Sequence, residues 1–346
     1  MKNISCFTAI LLFFIFGCSS PHNRSPWDIH DFKSVSGEVF LPDLFLGVPY
    51  GLLIADHKLF VLDRYDGKEC TVIDLNSNSQ ISRVFPIGDG PEEVHPPLFL
   101  SYDYPKNQLE LYERSGSRLS HASINPPDSG LISIHDRTSF KGFFSRVFML
   151  NPNVYVGSGV FDNGPLCLFN QEGIHLREFG EYPMKEKVQI KRSMLLSAQG
   201  ELMINPNRDR VVLAGLYSDQ LLFYKINDTI PVKVKEYFSF EAELNVFENE
   251  NSDHIEQNEK TFIYYLNAYP TESQVYLLYW GAKHKDAKEM KLSECYLLSF
   301  DWNGIFKKGY IIPSLLVNIA IDEQNNVLYG ITSSFFGDRK LMRFEL

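Results

Sequence analysis

Residues 51–85 read GLLIADHKLFVLDRYDGKECTVIDLNSNSQISRVF, and four short runs stand out in them: 51–55, 58–63, 70–75 and 81–85. Each is apolar or alternating, and none carries a helical period of 3.6. Turn residues separate them. The sharpest is Asp66-Gly67, since such a pair supplies the positive φ angles of a tight hairpin. The stretch predicts four antiparallel strands in one small sheet.

The grouping in fours recurs along the chain. A second set falls at 97–102, 108–113, 118–124 and 131–134, and a third at 146–150, 153–157, 165–170 and 175–180. A fourth lies within 193–240 and a fifth within 261–312. Asn163-Gly164, Glu172-Gly173, Gln199-Gly200 and Asn303-Gly304 add hairpin-type turns. The sixth set has only three strands, 316–321, 327–332 and 341–346, while a spare strand stands at 37–41. The expected fold is therefore all-β: a six-bladed β-propeller closed by an N-terminal strand that completes the last blade. Such closure hides sheet edges and ties the chain ends together.

The start of the chain reads as an export signal. Lys2 is followed by an apolar stretch of 13 residues, 4–16, short of the roughly 20 that a membrane span needs. It suits a signal peptide. The stretch ends Ile15-Phe16-Gly17-Cys18, which resembles the lipobox of bacterial lipoproteins. The resemblance implies a signal peptide over 1–17, a lipidated Cys18 and attachment to a membrane through that lipid anchor. Two or three acyl chains suffice for stable anchoring. Ser19 stands where an aspartate would signal inner-membrane retention, so the expected location is the cell envelope, at the outer membrane. Residues 18–34 are polar and are expected to form a flexible tether, with the propeller spanning 35–346.

Composition sets further bounds. Aromatic residues make up 14% of the chain and favour strands. The net charge of −10 argues against a nucleic-acid partner. Besides Cys6 and Cys18 there remain Cys70, Cys167 and Cys295. They fall in similar strands of alternate blades, too far apart to bridge. Three buried free thiols are expected.

Residues 87–94, Ile-Gly-Asp-Gly-Pro-Glu-Glu-Val, are followed by Pro96 and Pro97. The segment resembles the linker of TolB-like six-bladed propeller lipoproteins of Gram-negative bacteria and, more distantly, NHL-type propellers. Gly88, Gly90, Pro91, Glu93 and Val94 match, whereas Glu92 replaces a small residue. The resemblance implies a six-bladed fold and an envelope location, and it supplies no catalytic residues. Physically, the glycines would permit positive φ and the proline would fix the exit angle between blades. A phosphate cradle would need a following helix, and here a strand follows.

No local pattern nominates chemistry. G-x-S-x-G and H-E-x-x-H are absent, so no catalytic residue, metal site or cofactor is assigned. Ser299-Phe-Asp301-Trp-Asn-Gly304 approaches a sialidase box, but its glycine is one residue late, and it reads as a strand ending in a turn. Residues 241–259 carry seven acidic side chains and read as a solvated loop, while 283–291 carry Lys283, His284, Lys285, Lys288 and Lys291. Both segments belong to one blade and are expected to meet by charge. Asp228-Thr229-Ile230 resembles an O-glycosylation site of exported bacterial proteins.

These observations point to a non-catalytic binding or scaffolding propeller with an envelope protein, peptide or glycan as partner. The face built by inter-blade loops is the expected site. Its candidate rim residues are Tyr50, Arg64, Tyr65, His95, Arg114, Arg192, His284, Phe335 and Phe336. The alternative is a hydrolase or lyase acting on a glycan or lactone in the central funnel.

Overall fold

The computed structural model describes residues 27–124, 132–184, 198–249, 252–289, 291–333 and 338–346. Residues 1–26, which hold the expected signal peptide and Cys18, and the rim candidates Arg192, Phe335 and Phe336 lie outside these residues.

Six antiparallel sheets form the ring. Two short strands, β1 (Lys33–Ser34) and β2 (Gly37–Val39), precede them. Blade one comprises β3 (Pro49–Ala55), β4 (Lys58–Tyr65), β5 (Lys68–Asp74) and β6 (Ser79–Pro86). Blade two comprises β7 (Leu98–Asp103), β8 (Gln108–Glu113), β9 (Arg118–Ser123) and β10 (Ile134–Ser139). Blade three has β11 (Phe144–Asn151), β12 (Val154–Gly159), β13 (Leu166–Phe169) and β14 (His175–Phe179). Blade four has β15 (Gly200–Ile204), β16 (Arg210–Gly215), β17 (Leu221–Asn227) and β18 (Ile230–Tyr237). A hairpin of β19 (Leu244–Asn249) and β20 (Ser252–Gln257) leads into blade five, which holds β21 (Phe262–Pro270), β22 (Gln274–Lys283), the single helical turn α1 (His284–Lys288), β23 (Cys295–Asp301) and β24 (Phe306–Ile312). Blade six holds β25 (Leu316–Asp322), β26 (Val327–Thr332) and β27 (Leu341–Glu345).

Every blade is a simple meander in chain order. The second and third strands pack against neighbouring blades on both faces, and for that reason they read as unbroken apolar runs. All of β12 and β13 is buried. The inner strand β3 instead alternates buried and half-buried positions, because one face packs and the other meets the funnel. The outer strand β18 is mostly exposed.

The ring closes as the sequence predicts. β2 pairs antiparallel with β27 in the register Gly37↔Phe344, Glu38↔Arg343 and Val39↔Met342. The Phe40 N–H donates to the Leu341 carbonyl at 2.8 Å. Immediately before it, β1 adds in parallel to β24 of blade five.

Four expectations need correction. Residues 27–34, placed in the tether, pack on the propeller. Trp27 meets Phe300 edge-on at 5.5 Å and Tyr237 at 5.9 Å, and Phe32 is buried against Phe306. Apolar burial of two large rings outweighs the polar character of their neighbours. The last strand of blade two starts at Ile134 rather than ending there, with Ile134 paired to Ala122. The acidic segment is a paired hairpin rather than a loop. Gly200 opens β15 instead of turning a hairpin.

The charged segments of blade five do meet: Lys285 Nζ lies 3.3 Å from Glu259 Oε1, and the His284 N–H donates to the Thr261 carbonyl at 2.9 Å. Cys70, Cys167 and Cys295 are buried free thiols in the third strands of blades one, three and five. Burial pushes Cys167 and Cys295 each up to about 12, so both behave as small apolar groups.

Candidate functional site

In a four-stranded meander, the first and third strands start at the end where the second and fourth finish. One face of the ring therefore collects the inter-blade linkers and the second-to-third-strand turns. The six inner strands β3, β7, β11, β15, β21 and β25 surround the axis and line a funnel of about 220 Å³. Leu52, Leu100, Phe148, Met203, Leu266 and Ile319 are among its apolar lining residues, so every blade contributes to the wall.

Charged groups mark the two ends. At the loop-rich end, Arg146 lies near the start of β11 and Glu201 near the start of β15. Arg146 Nη2 lies 3.0 Å from Glu201 Oε2, an ion pair whose alignment falls short of a hydrogen bond. The Arg146 guanidinium also lies over the Phe99 ring, 4.4 Å from its centre. Burial pushes the Glu201 carboxyl up from its ordinary value, and the Arg146 charge only partly opposes this.

At the opposite end, Arg208 extends from the β15–β16 turn across three blades. It reaches Glu110 Oε1 at 2.8 Å and Asp103 Oδ2 at 3.3 Å in blade two, and it donates to the Met149 carbonyl in blade three. Burial alone would raise the Glu110 carboxyl. The approach of His121 at 3.6 Å and the Arg208 guanidinium outweigh it and hold the carboxyl below its ordinary value. The Ser101 hydroxyl donates to the other Glu110 oxygen at 2.9 Å. In the wall between, Asn267 Oδ1 accepts from the Ile319 N–H at 3.1 Å. Asn318 Oδ1 is buried without a hydrogen-bond partner.

A side cleft of about 190 Å³ opens beside the funnel mouth between blades two, three and four. It shares Phe99, Arg146 and Glu201 with the funnel and adds Arg114, Ser145, Ser158 and Gln199. The Ser158 hydroxyl is buried and has no hydrogen-bond partner.

The predicted rim residues do not gather at one point. Tyr50 lines the funnel, where its hydroxyl donates to buried Glu69 and accepts from the Leu98 N–H at 3.3 Å. Burial, with Glu69 beside it, pushes the phenol up. Arg114 lines the cleft. Arg64, 3.4 Å from Glu69, and Tyr65, stacked under Arg83 and against Phe45, form a separate exposed group on blade one. His95 bridges Asp89 at 2.9 Å, and its N–H donates to Glu113 at 2.7 Å. His284 starts α1 on blade five, where burial and Lys288 lower its imidazole. Arg146 and Glu201 were legible only as charged residues opening otherwise apolar inner strands.

The linker motif is structural, and its glycines are needed for a reason other than the one expected. Neither Gly88 nor Gly90 has positive φ. Instead Glu93 folds back so that its carboxylate accepts the Gly90 N–H at 2.7 Å. A Cβ on Gly88 would overlap that carboxylate. Arg137 of β10 holds the Gly90 and Glu93 carbonyls at 3.2 and 2.5 Å. Val94 is fully buried and pairs back to Pro86. Glu92, the departure from the motif, accepts the Ile134 N–H at 2.9 Å and pins the start of β10.

Among solved structures, a Bacteroides fragilis protein named as inferred to be exported aligns with a TM-score of 0.53 at 12% identity. The alignment covers 94% of this chain and 98% of that one. The protein U3-55K aligns with a TM-score of 0.50 at 8% identity, covering 90% of this chain and 98% of that one. At such identities the likeness shows the fold alone. No curated protein matches the sequence. The family described as TolB-like 6-blade propeller-like matches residues 29–324, and with six meander blades closed by β2, this chain belongs to that family.

Proposed function

We propose that this protein is a lipid-anchored binding propeller of the cell envelope, whose ligand seats in the loop-rich mouth of the funnel and leaves unchanged. The state of the charged groups in the funnel wall carries this reading. Acid–base chemistry needs a positioned pair of proton-transfer groups. Here Glu110 is matched by Arg208 and Glu201 by Arg146, and His121, which nears Glu110, is not among the residues that line the funnel. The rest of the wall is largely apolar with a few polar atoms, the composition of a binding site. The anchor rests on Ile15-Phe16-Gly17-Cys18. Trp27, docked at the seam of blades four and five, leaves eight intervening residues, which reach at most about 28 Å.

Glu201 favours the alternative, a hydrolase or lyase acting on a glycan or lactone, because burial raises its carboxyl. Its neighbour across the mouth is a guanidinium, which cannot serve as a base. A pull-down from solubilised envelope with the full-length chain tests the proposal. Wild type should recover a ligand that Leu266→Trp, which fills the funnel, does not. Equal recovery by both would place the ligand elsewhere.

A further inference from the structure

We propose that the side cleft is a carboxylate-recognition subsite, and that it takes the C-terminal carboxylate of a peptide whose last, apolar side chain enters the funnel. This deepens the funnel-binding reading and rests on it. Two guanidiniums converge on the cleft. Arg114 has no ion-pair partner among the described residues, and its charge lies over the Phe143 ring at 5.3 Å. Arg146 spends one nitrogen on Glu201 in a poorly aligned contact, so most of its five N–H donors stay open. Both planar forks are braced on aromatic rings, which fixes their orientation before a ligand arrives.

The buried Ser158 hydroxyl is the independent sign of a missing acceptor. A polar group removed from water ordinarily has a partner, and Ser158 lines the cleft. One uncompensated guanidinium, one shared guanidinium and one hydroxyl match a planar, singly charged group. A dianionic phosphate would bring excess negative charge against Glu201. The funnel adjoining the cleft supplies the second half of the argument. Phe99 belongs to both spaces, and behind it stand Leu100, Phe148 and Met203. A carboxylate carried one carbon from an aliphatic side chain satisfies both at once, whereas a hydroxyl-rich sugar acid would leave its hydroxyls against apolar walls.

Ligand-observed NMR titration of the full-length chain in detergent tests this with three probes: N-acetyl-leucine, N-acetyl-leucinamide and glucuronate. N-acetyl-leucine should bind at least tenfold more tightly than its amide, and glucuronate should not compete. Arg114→Ala, at a half-exposed position, should remove that preference. Glu201→Gln, which neutralises the competing carboxylate, should strengthen acid binding severalfold. Equal binding of acid and amide, or an acid preference surviving Arg114→Ala, would overturn the subsite. Glucuronate binding in place of N-acetyl-leucine would overturn the peptide assignment. If equal binding of acid and amide is lost in Leu266→Trp, the funnel reading stands and only the subsite fails. If acid binding is lost in Arg114→Ala but kept in Leu266→Trp, the funnel reading is the one that fails.

Discussion

Gly37 lies directly beneath the ring of Phe344, so close that a Cβ at position 37 would overlap the ring. The two residues are paired in the closing register of β2 on β27, and Phe344 is almost wholly buried. The seam that joins the two ends of the chain is thus built around an absent side chain. Gly37→Val is expected to lower stability by about 2–3 kcal/mol, the cost of overpacking a filled site, with Gly37→Ala lower in the same range. Urea unfolding checks this. A variant as stable as wild type would show that β2 contributes little to closure.

Arg208 carries the polar network at the far end of the funnel. Glu110 has a carboxyl held below its ordinary value in the folded chain. Its stabilising contribution is therefore fully present above the ordinary carboxylate range and is lost as pH falls through the lowered value. Arg208→Ala would leave Glu110 and Asp103 buried without a guanidinium, at a cost of about 3–5 kcal/mol near pH 7. Burial, then opposed by His121 without the guanidinium, would raise Glu110 above its wild-type value, and protonation would relieve the variant. The stability gap to wild type should begin to narrow as pH falls through the variant's raised value and keep narrowing until Glu110 is protonated in wild type as well. A gap that stays constant from pH 7 to pH 3.5 would mean that Glu110 is not the group responsible.

The linker predicts a non-additive pair. Glu93→Ala removes a partly buried carboxylate that caps the Gly90 N–H, at a cost of about 1–2 kcal/mol. Gly88→Ala drives a methyl group into that same carboxylate. With the carboxylate gone the methyl has room, so the double variant should be more stable than the sum of the single losses implies. Strict additivity in a double-mutant cycle would contradict the packing described for Gly88 and Glu93.

The proposed anchor is tested by Cys18→Ser. The variant should leave the membrane fraction and fail to incorporate labelled fatty acid, while its folded body is unchanged. Retention in the membrane fraction would contradict the lipobox reading.

The blades were legible because middle strands packed on both faces leave continuous apolar runs, as in 58–63 and 166–169. The unpaired strand around Val39 then announced the closure. Two kinds of feature were hidden. Trp27 and Phe32 sit in a segment of mostly polar composition, and only their large rings mark it as docked. The second kind is the funnel wall. Arg146 lies near the start of β11, whereas Glu201 and Arg208 lie on β15 and the turn after it, and only the ring brings them to the axis beside blade two. Their charge is visible in the sequence, but their convergence depends on which face of each inner strand points inward, and a one-residue shift of register would reverse it.

The central claim is that the funnel holds a ligand without transforming it. Mass spectrometry of the ligand recovered from wild-type full-length protein after prolonged incubation, compared with the same compound before binding, tests this most directly. The account predicts an unchanged mass and stoichiometric recovery, both lost in Leu266→Trp. A cleaved, hydrolysed or eliminated product that accumulates beyond one equivalent, and that disappears in Glu201→Gln, would contradict it.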